Sequence, residues 1–107
     1  MIRIGDRAPK YARFELRTSS AAAPTATRLV ARVRRSDGTI AEWELTSVIA
    51  VAGSVSGLRV FAPDGTDFPV GGRYDLRLFA LDAGGVWIDD HEGSFEVDAT
   101  STGWIGT

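Results

Sequence analysis

The chain has no cysteine, one histidine, one methionine and, beside eleven arginines, a single lysine at Lys10. Without cysteine there is no disulfide, no thiolate nucleophile and no cysteine-held metal. A small domain without disulfides is expected to be made and folded in a reducing cytoplasm. Long apolar runs are also absent: none approaches the ~20 residues of a membrane-spanning helix. The opening Met1-Ile-Arg-Ile-Gly-Asp6 has no apolar core of a secretion signal, and none is expected. Charge of one sign is scarce as well, with a net of −2. The arginines sit at alternating positions matched by acids, so no nucleic-acid partner is expected, and no membrane. Helical periodicity is missing throughout.

What is there is short alternating segments punctuated by 12 glycines and 4 prolines, the pattern of an all-β protein. The length of 107 residues fits one domain, large enough to bury roughly 60–70% of its unfolded surface.

Residues 27–45 carry the clearest signal. Leu29, Ala31 and Val33 alternate with Arg28, Arg32 and Arg34. Beyond Asp37-Gly38, Ala41, Trp43 and Leu45 alternate with Ile40, Glu42 and Glu44. Period two marks strands with one buried face. A two-residue Asp37-Gly38 loop would pair Val33 with Glu42 and Arg32 with Trp43, mixing apolar and charged side chains on one face. A three-residue loop, Ser36-Asp37-Gly38 with Gly38 left-handed, pairs Val33 with Ala41, Ala31 with Trp43 and Leu29 with Leu45. Arg32 then faces Glu42 on the opposite, charged side.

Elsewhere, a short strand is expected at Ile2 and Ile4, and another over 11–17 with Ala12, Phe14 and Leu16 on one face. Residues 18–26 read as a small-residue crossing between sheets. Residues 47–52 form a further strand ended by Gly53, followed by one over 57–62. Pro63-Asp64-Gly65 is a turn, and 68–72 a loop. A second hairpin joins 73–81 to 86–91. With a loop Asp82-Ala83-Gly84 and Gly84 left-handed, it sets Leu81 opposite Gly85, Ala80 opposite Val86 and Leu78 opposite Ile88. The other face then carries Phe79 beside Trp87, Arg77 beside Asp89 and Asp75 beside His91. A last strand over 93–98 points Phe95 and Val97 inward. Residues 1–98 are read as the domain and 99–107 as a tail. Seven or eight short strands of this kind predict an immunoglobulin-like antiparallel β-sandwich.

Site chemistry is sparse. On a strand Asp89 and His91 share one face and Asp90 and Glu92 the other, too few ligands on either for a tetrahedral metal site. No serine sits in a Gly-x-Ser-x-Gly elbow. Asp64-Gly-Thr-Asp67 lacks the ligand spacing of a calcium loop and reads as a turn. No catalytic residue, metal or cofactor is expected. The aromatics are more telling. Phe79 and Trp87 fall on the face away from the core, and Trp104-Ile105 lies between glycines in the tail. With Arg32 and Glu42 these are the candidate contact residues.

Three segments, Gly5-Asp-Arg-Ala-Pro-Lys-Tyr-Ala-Arg-Phe-Glu-Leu16, Ala26-Thr-Arg-Leu-Val-Ala-Arg-Val-Arg-Arg-Ser-Asp-Gly-Thr39, and Pro69-Val-Gly-Gly-Arg-Tyr-Asp-Leu-Arg-Leu-Phe-Ala80 with Gly93-Ser-Phe-Glu-Val97, carry a resemblance. In this order they resemble the N-terminal immunoglobulin-like domain of phage baseplate upper proteins, a family found also in other tail-associated virion proteins. The resemblance spans about residues 4–98, with Ala23-Pro24-Thr25-Ala26 replacing the family's Asp-Leu-Thr-Gly entry to the hairpin. It implies a non-enzymatic structural protein of the virion, in its tail, baseplate, neck or capsid surface. Its partners would be other virion proteins and copies of itself, as an oligomer or ring. A carbohydrate-binding or adhesive β-sandwich module is the alternative.

Overall fold

The computed structural model describes residues 2–19 and 23–101. In chain order it contains β1 (Ile2–Ile4), β2 (Tyr11–Arg17), a 3-10 turn (Ala23–Thr25), β3 (Arg28–Arg34), β4 (Ile40–Glu44), β5 (Thr46–Val51), β6 (Ser54–Val60), β7 (Gly72–Leu81) and β8 (Trp87–Ser101). The strands form two sheets: five strands in the order β1-β8-β7-β3-β4 and three in the order β2-β6-β5. All pairings are antiparallel except β1 with the end of β8. The sheets lie face to face in a sandwich-like all-β arrangement, and their inner faces make the core.

The first hairpin has the register its alternation demands. Ala31 faces Trp43, Val33 faces Ala41 and Arg32 faces Glu42. Arg35 N donates to Thr39 O at 2.8 Å, which closes the three-residue loop, and Gly38 is left-handed at φ 89°. Asp37 Oδ1 accepts from both the amide and the hydroxyl of Thr39. The hydroxyl bond, then the amide bond, holds the Asp37 carboxyl below its ordinary range.

The second hairpin departs from expectation by one residue. Asp82 N donates to Val86 O at 3.0 Å, so the loop is Ala83-Gly84-Gly85, and the left-handed glycine is Gly85 rather than Gly84. The Asp82 carboxylate selects this loop. Its Oδ1 accepts from the amides of Gly84 and Val86, both at 2.9 Å. Leu81 then faces Trp87, and an irregularity skips Ile88 so that Ala80 faces Asp89. Phe79 therefore faces Asp90, Arg77 faces Glu92, and Asp75 faces Ser94. The expected pairs Phe79–Trp87, Arg77–Asp89 and Asp75–His91 do not form.

Two boundaries also move. The strands expected at 86–91 and 93–98 are one continuous β8, because Gly93 stays in the ladder opposite Leu76. The strand expected over 57–62 begins earlier, at Ser54, where Arg17 of β2 provides a partner. The expected 98/99 boundary falls inside β8, and Trp104 and Ile105 lie outside the described residues.

Aromatic rings fill the core. Phe68 is fully buried and touches Phe61 (4.7 Å between centroids), Trp43 (5.8 Å), Tyr74 (6.0 Å) and Phe95 (6.2 Å). Beneath this cluster Arg59 reaches in from β6. Its guanidinium lies 5.0 Å from the centre of the Trp43 ring and binds the Asp67 carboxylate at 2.8 and 3.0 Å. Asp67 is buried, and its Oδ2 also accepts from the Ala62 amide. Asp64, in the turn before it, instead uses Oδ1 to cap Thr66.

Candidate interaction surfaces

Three surfaces remain once the core is assigned. The first is the outer face of the five-stranded sheet. Strand alternation directs Arg28, Val30 and Arg32 of β3, Glu42 and Glu44 of β4, and Phe79 and Leu81 of β7 to this side. The expected Arg32–Glu42 pair is present at 3.4 Å, with both side chains exposed. Such a pair contributes little stability, about 0–1 kcal/mol. The Arg32 guanidinium also lies 5.8 Å from the centre of the Phe79 ring. Arg28 binds Glu44 at 2.6 Å, and that bond raises the Arg28 pKa above its ordinary value. Val30, Phe79 and Leu81 make the floor of a shallow depression of about 440 Å³ walled by these charged side chains.

Trp87 joins the same side. It faces Leu81, which stands two residues from Phe79 along β7. Leu81 thus separates the two aromatics that were expected to lie side by side. Phe79 is half-buried, whereas Trp87 is 57% exposed and Val86 beside it is more exposed still.

The second surface is the flank of β8. β1 pairs only with Val97, Asp98 and Ser101, so among the described residues no strand covers the other flank of 87–96. This flank carries Asp89, Asp90, Glu92 and Glu96, with His91 and no lysine or arginine. Part of the charge is engaged from within the domain. Arg77 binds Glu92 and lies 3.6 Å from Asp90, and Thr18 donates its hydroxyl to Asp89.

The third surface was not anticipated. On the outer face of the three-stranded sheet Tyr11 faces Val60. Ile49 and Val51 of β5 face Ser56 and Ser54 of β6. Tyr11, Ile49, Val51 and Val60 are all exposed. The sequence held one signal for it: Val48-Ile49-Ala50-Val51 is apolar without alternation, the mark of a strand covered on both faces.

Among the described residues no three His, Cys, Asp or Glu side chains converge to hold a metal ion, and His91 is exposed opposite Leu78. Among them, too, no helix is long and apolar enough to cross a membrane.

Comparisons with family models, with curated proteins and with solved structures find no match to the chain. Fold and surfaces therefore define the class: an all-β domain of two facing sheets with uncovered strand flanks and exposed apolar side chains at its margins.

Proposed function

We propose that the chain is an immunoglobulin-like, non-enzymatic assembly domain of a phage virion, acting through contacts with copies of itself and with other virion proteins. Two features support the immunoglobulin-like reading. The sheet orders β8-β7-β3-β4 and β2-β6-β5 match the G-F-C-C′ and B-E-D orders of variable-type domains. Tyr74, near the start of β7, donates its hydroxyl to Val70 O at 2.5 Å, the position and bond of a tyrosine corner. Burial pushes the Tyr74 phenol above its ordinary pKa. Tyr74→Phe is expected to lose about 1 kcal/mol in urea unfolding, since it removes one buried hydrogen bond and little else. Two family hallmarks differ here: there is no disulfide, and the buried tryptophan, Trp43, sits on β4 rather than β3.

The observation that carries the assembly reading is the exposure of Val86 and Trp87 beside the uncovered flank of β8. A tryptophan in water at a sheet margin is a typical anchor of a protein interface. An open strand flank offers backbone hydrogen bonds to a neighbour. Placement in a virion rests on the resemblance of the segments within residues 4–98. Portal, terminase or tail genes beside this one would support it, and a setting of unrelated metabolic genes would overturn it.

Trp87→Ala tests the contact. Because Trp87 is exposed, the monomer's melting curve is expected to stay within about 0.5 kcal/mol of wild type. Association is expected to weaken by about thirtyfold or more, as for an interface anchor. The exposed ring also suits a sugar platform. On that second reading the tryptophan fluorescence of the wild type, but not of the variant, changes on glycan titration while association is unaffected.

A further inference from the structure

Resting on the assembly reading, we propose that β5 is a self-association strand: it pairs antiparallel with β5 of a second copy and continues the three-stranded sheet across a two-fold axis. β5, Thr46-Ser-Val-Ile-Ala-Val51, has no charged residue and four consecutive apolar ones. A strand of that kind is normally covered on both faces. Here only the inner face is covered. Ala50 faces Val55 of β6 on the core side, while Ile49 and Val51 point outward, 55% and 53% exposed. Among the described residues β5 is also an edge strand, paired in its sheet with β6 alone, with the 3-10 turn Ala23–Thr25 packed near it. Natural edges are usually blunted by charge, proline or a bulge. β5 has a single irregularity, between Thr46 and Ile49, where Ser47 takes φ 52°. It leaves Ile49, Ala50 and Val51 in regular pairing.

Charge on the remaining flanks identifies the occupant as a second copy and β5 as the strand. Antiparallel self-pairing of 87–96 would bring Asp89, Asp90, Glu92 and Glu96 against the same acids, with no lysine or arginine among them. On β2, a two-fold through Glu15 puts Glu15 opposite itself and Arg13 opposite Arg17, and one through Phe14 sets Arg13 opposite Glu15, so its outer row meets its image through charged side chains and not apolar ones. On β4, a two-fold near its centre sets Glu42 against Glu42 or Glu44. Like charges directly opposite one another destabilise a sheet pair. β1 is only three residues long. Among the described edge strands β5 alone carries no charged residue. A two-fold through Ala50 sets Ile49 opposite Val51 of the second copy on the outer face. The row of exposed apolar side chains then meets its own image. Val60 and Tyr11 lie on the same face, across β6 and β2.

The absence of cysteine makes the test clean. The full chain is followed by sedimentation velocity from low to high micromolar concentration, as wild type and as Ile49→Lys. The wild type is expected to dimerise reversibly, and Ile49→Lys to weaken that dimer about tenfold or more while melting like the wild type. Single-cysteine variants Ile49→Cys and Ser94→Cys are then treated with a short bifunctional maleimide. Ile49→Cys is expected to give a covalent dimer, and Ser94→Cys, on the acidic flank, none. A chain that stays monomeric at every concentration overturns the proposal, as does a dimer indifferent to Ile49→Lys. A dimer joined through Ser94→Cys, or lost only in Trp87→Ala, also overturns it while leaving the assembly reading in place.

Discussion

Phe68→Ala is expected to lower stability by about 3–5 kcal/mol, which for a domain of this size lowers the melting temperature by about 12–20 °C. The side chain is fully buried and meets four other aromatic rings, from Phe61, Trp43 (β4), Tyr74 (β7) and Phe95 (β8). It therefore ties the connection between β6 and β7 to strands of the larger sheet. Truncation leaves a cavity that these rigid rings cannot collapse to fill, and the cost of a cavity rises with the volume left behind. Differential scanning calorimetry of the two proteins checks the value. A loss below about 1 kcal/mol would mean that the ring is solvated, as at an ordinary surface position. Phe68→Leu, which keeps most of the volume, is expected to recover a large part of the loss.

A comparable loss is expected on breaking the pair between Arg59 and Asp67. Asp67→Ala leaves the Arg59 cation, three-quarters buried against Trp43, without its carboxylate. Arg59→Leu leaves the Asp67 carboxylate buried, with the Ala62 backbone amide still donating to it. Removing one member of a buried pair costs about 3–5 kcal/mol, because the survivor keeps its desolvation penalty. Replacing both removes both penalties, so the double variant is expected to be more stable than the sum of the single losses implies. Chemical denaturation of the four proteins in a double-mutant cycle measures the coupling. Strictly additive losses would show that the two groups do not act as a pair.

The first hairpin was legible because everything that decides it is local. Its loop residues, the alternation of Leu29, Ala31 and Val33, and that of Ala41, Trp43 and Leu45 agree on one register, and a slip by one would invert both faces. The second hairpin shows where such reading stops. Two adjacent glycines, Gly84 and Gly85, permit two loops, and composition does not choose between them. The choice falls to one carboxylate oxygen of Asp82 accepting two amides. Shifting the loop moved every cross-strand partner of Phe79, Arg77 and Asp75. Trp87 nevertheless stayed on the outer side with Phe79, because the shifted loop moved it by two positions, opposite Leu81, and the irregularity at Ile88 changed the faces only of the residues beyond it.

Phe68 lies in the loop that the sequence predicts over 68–72. Nothing in Phe68-Pro-Val-Gly-Gly72 tells that its ring enters the core, since that depends on the rings of Trp43, Tyr74 and Phe95 arriving from distant parts of the chain. The same holds for Asp67. In sequence it belongs to a Pro-Asp-Gly turn, and only the packing of β6 beneath Trp43 turns it inward to Arg59. Of the contact candidates, the exposed Trp87 and the Arg32–Glu42 face were readable from alternation. The apolar row on β5 was readable only as an irregularity, a run with no polar face.

By itself the sequence determined that the protein is all-β and which side chains of β2, β3, β4 and the end of β8 face inward. Period two and the turn residues are properties of neighbouring positions, and they need no knowledge of the rest of the chain. The tertiary structure alone decided which strands became neighbours, and hence which flanks stayed open. β5 follows β4 after one residue yet enters the opposite sheet, where it pairs with β6 and stops. β8 outruns β1 and keeps most of one flank uncovered. Strand partners come from far along the chain and are chosen by how the two inner faces fill one core. An edge is therefore a property of the assembled sheet, not of any segment within it.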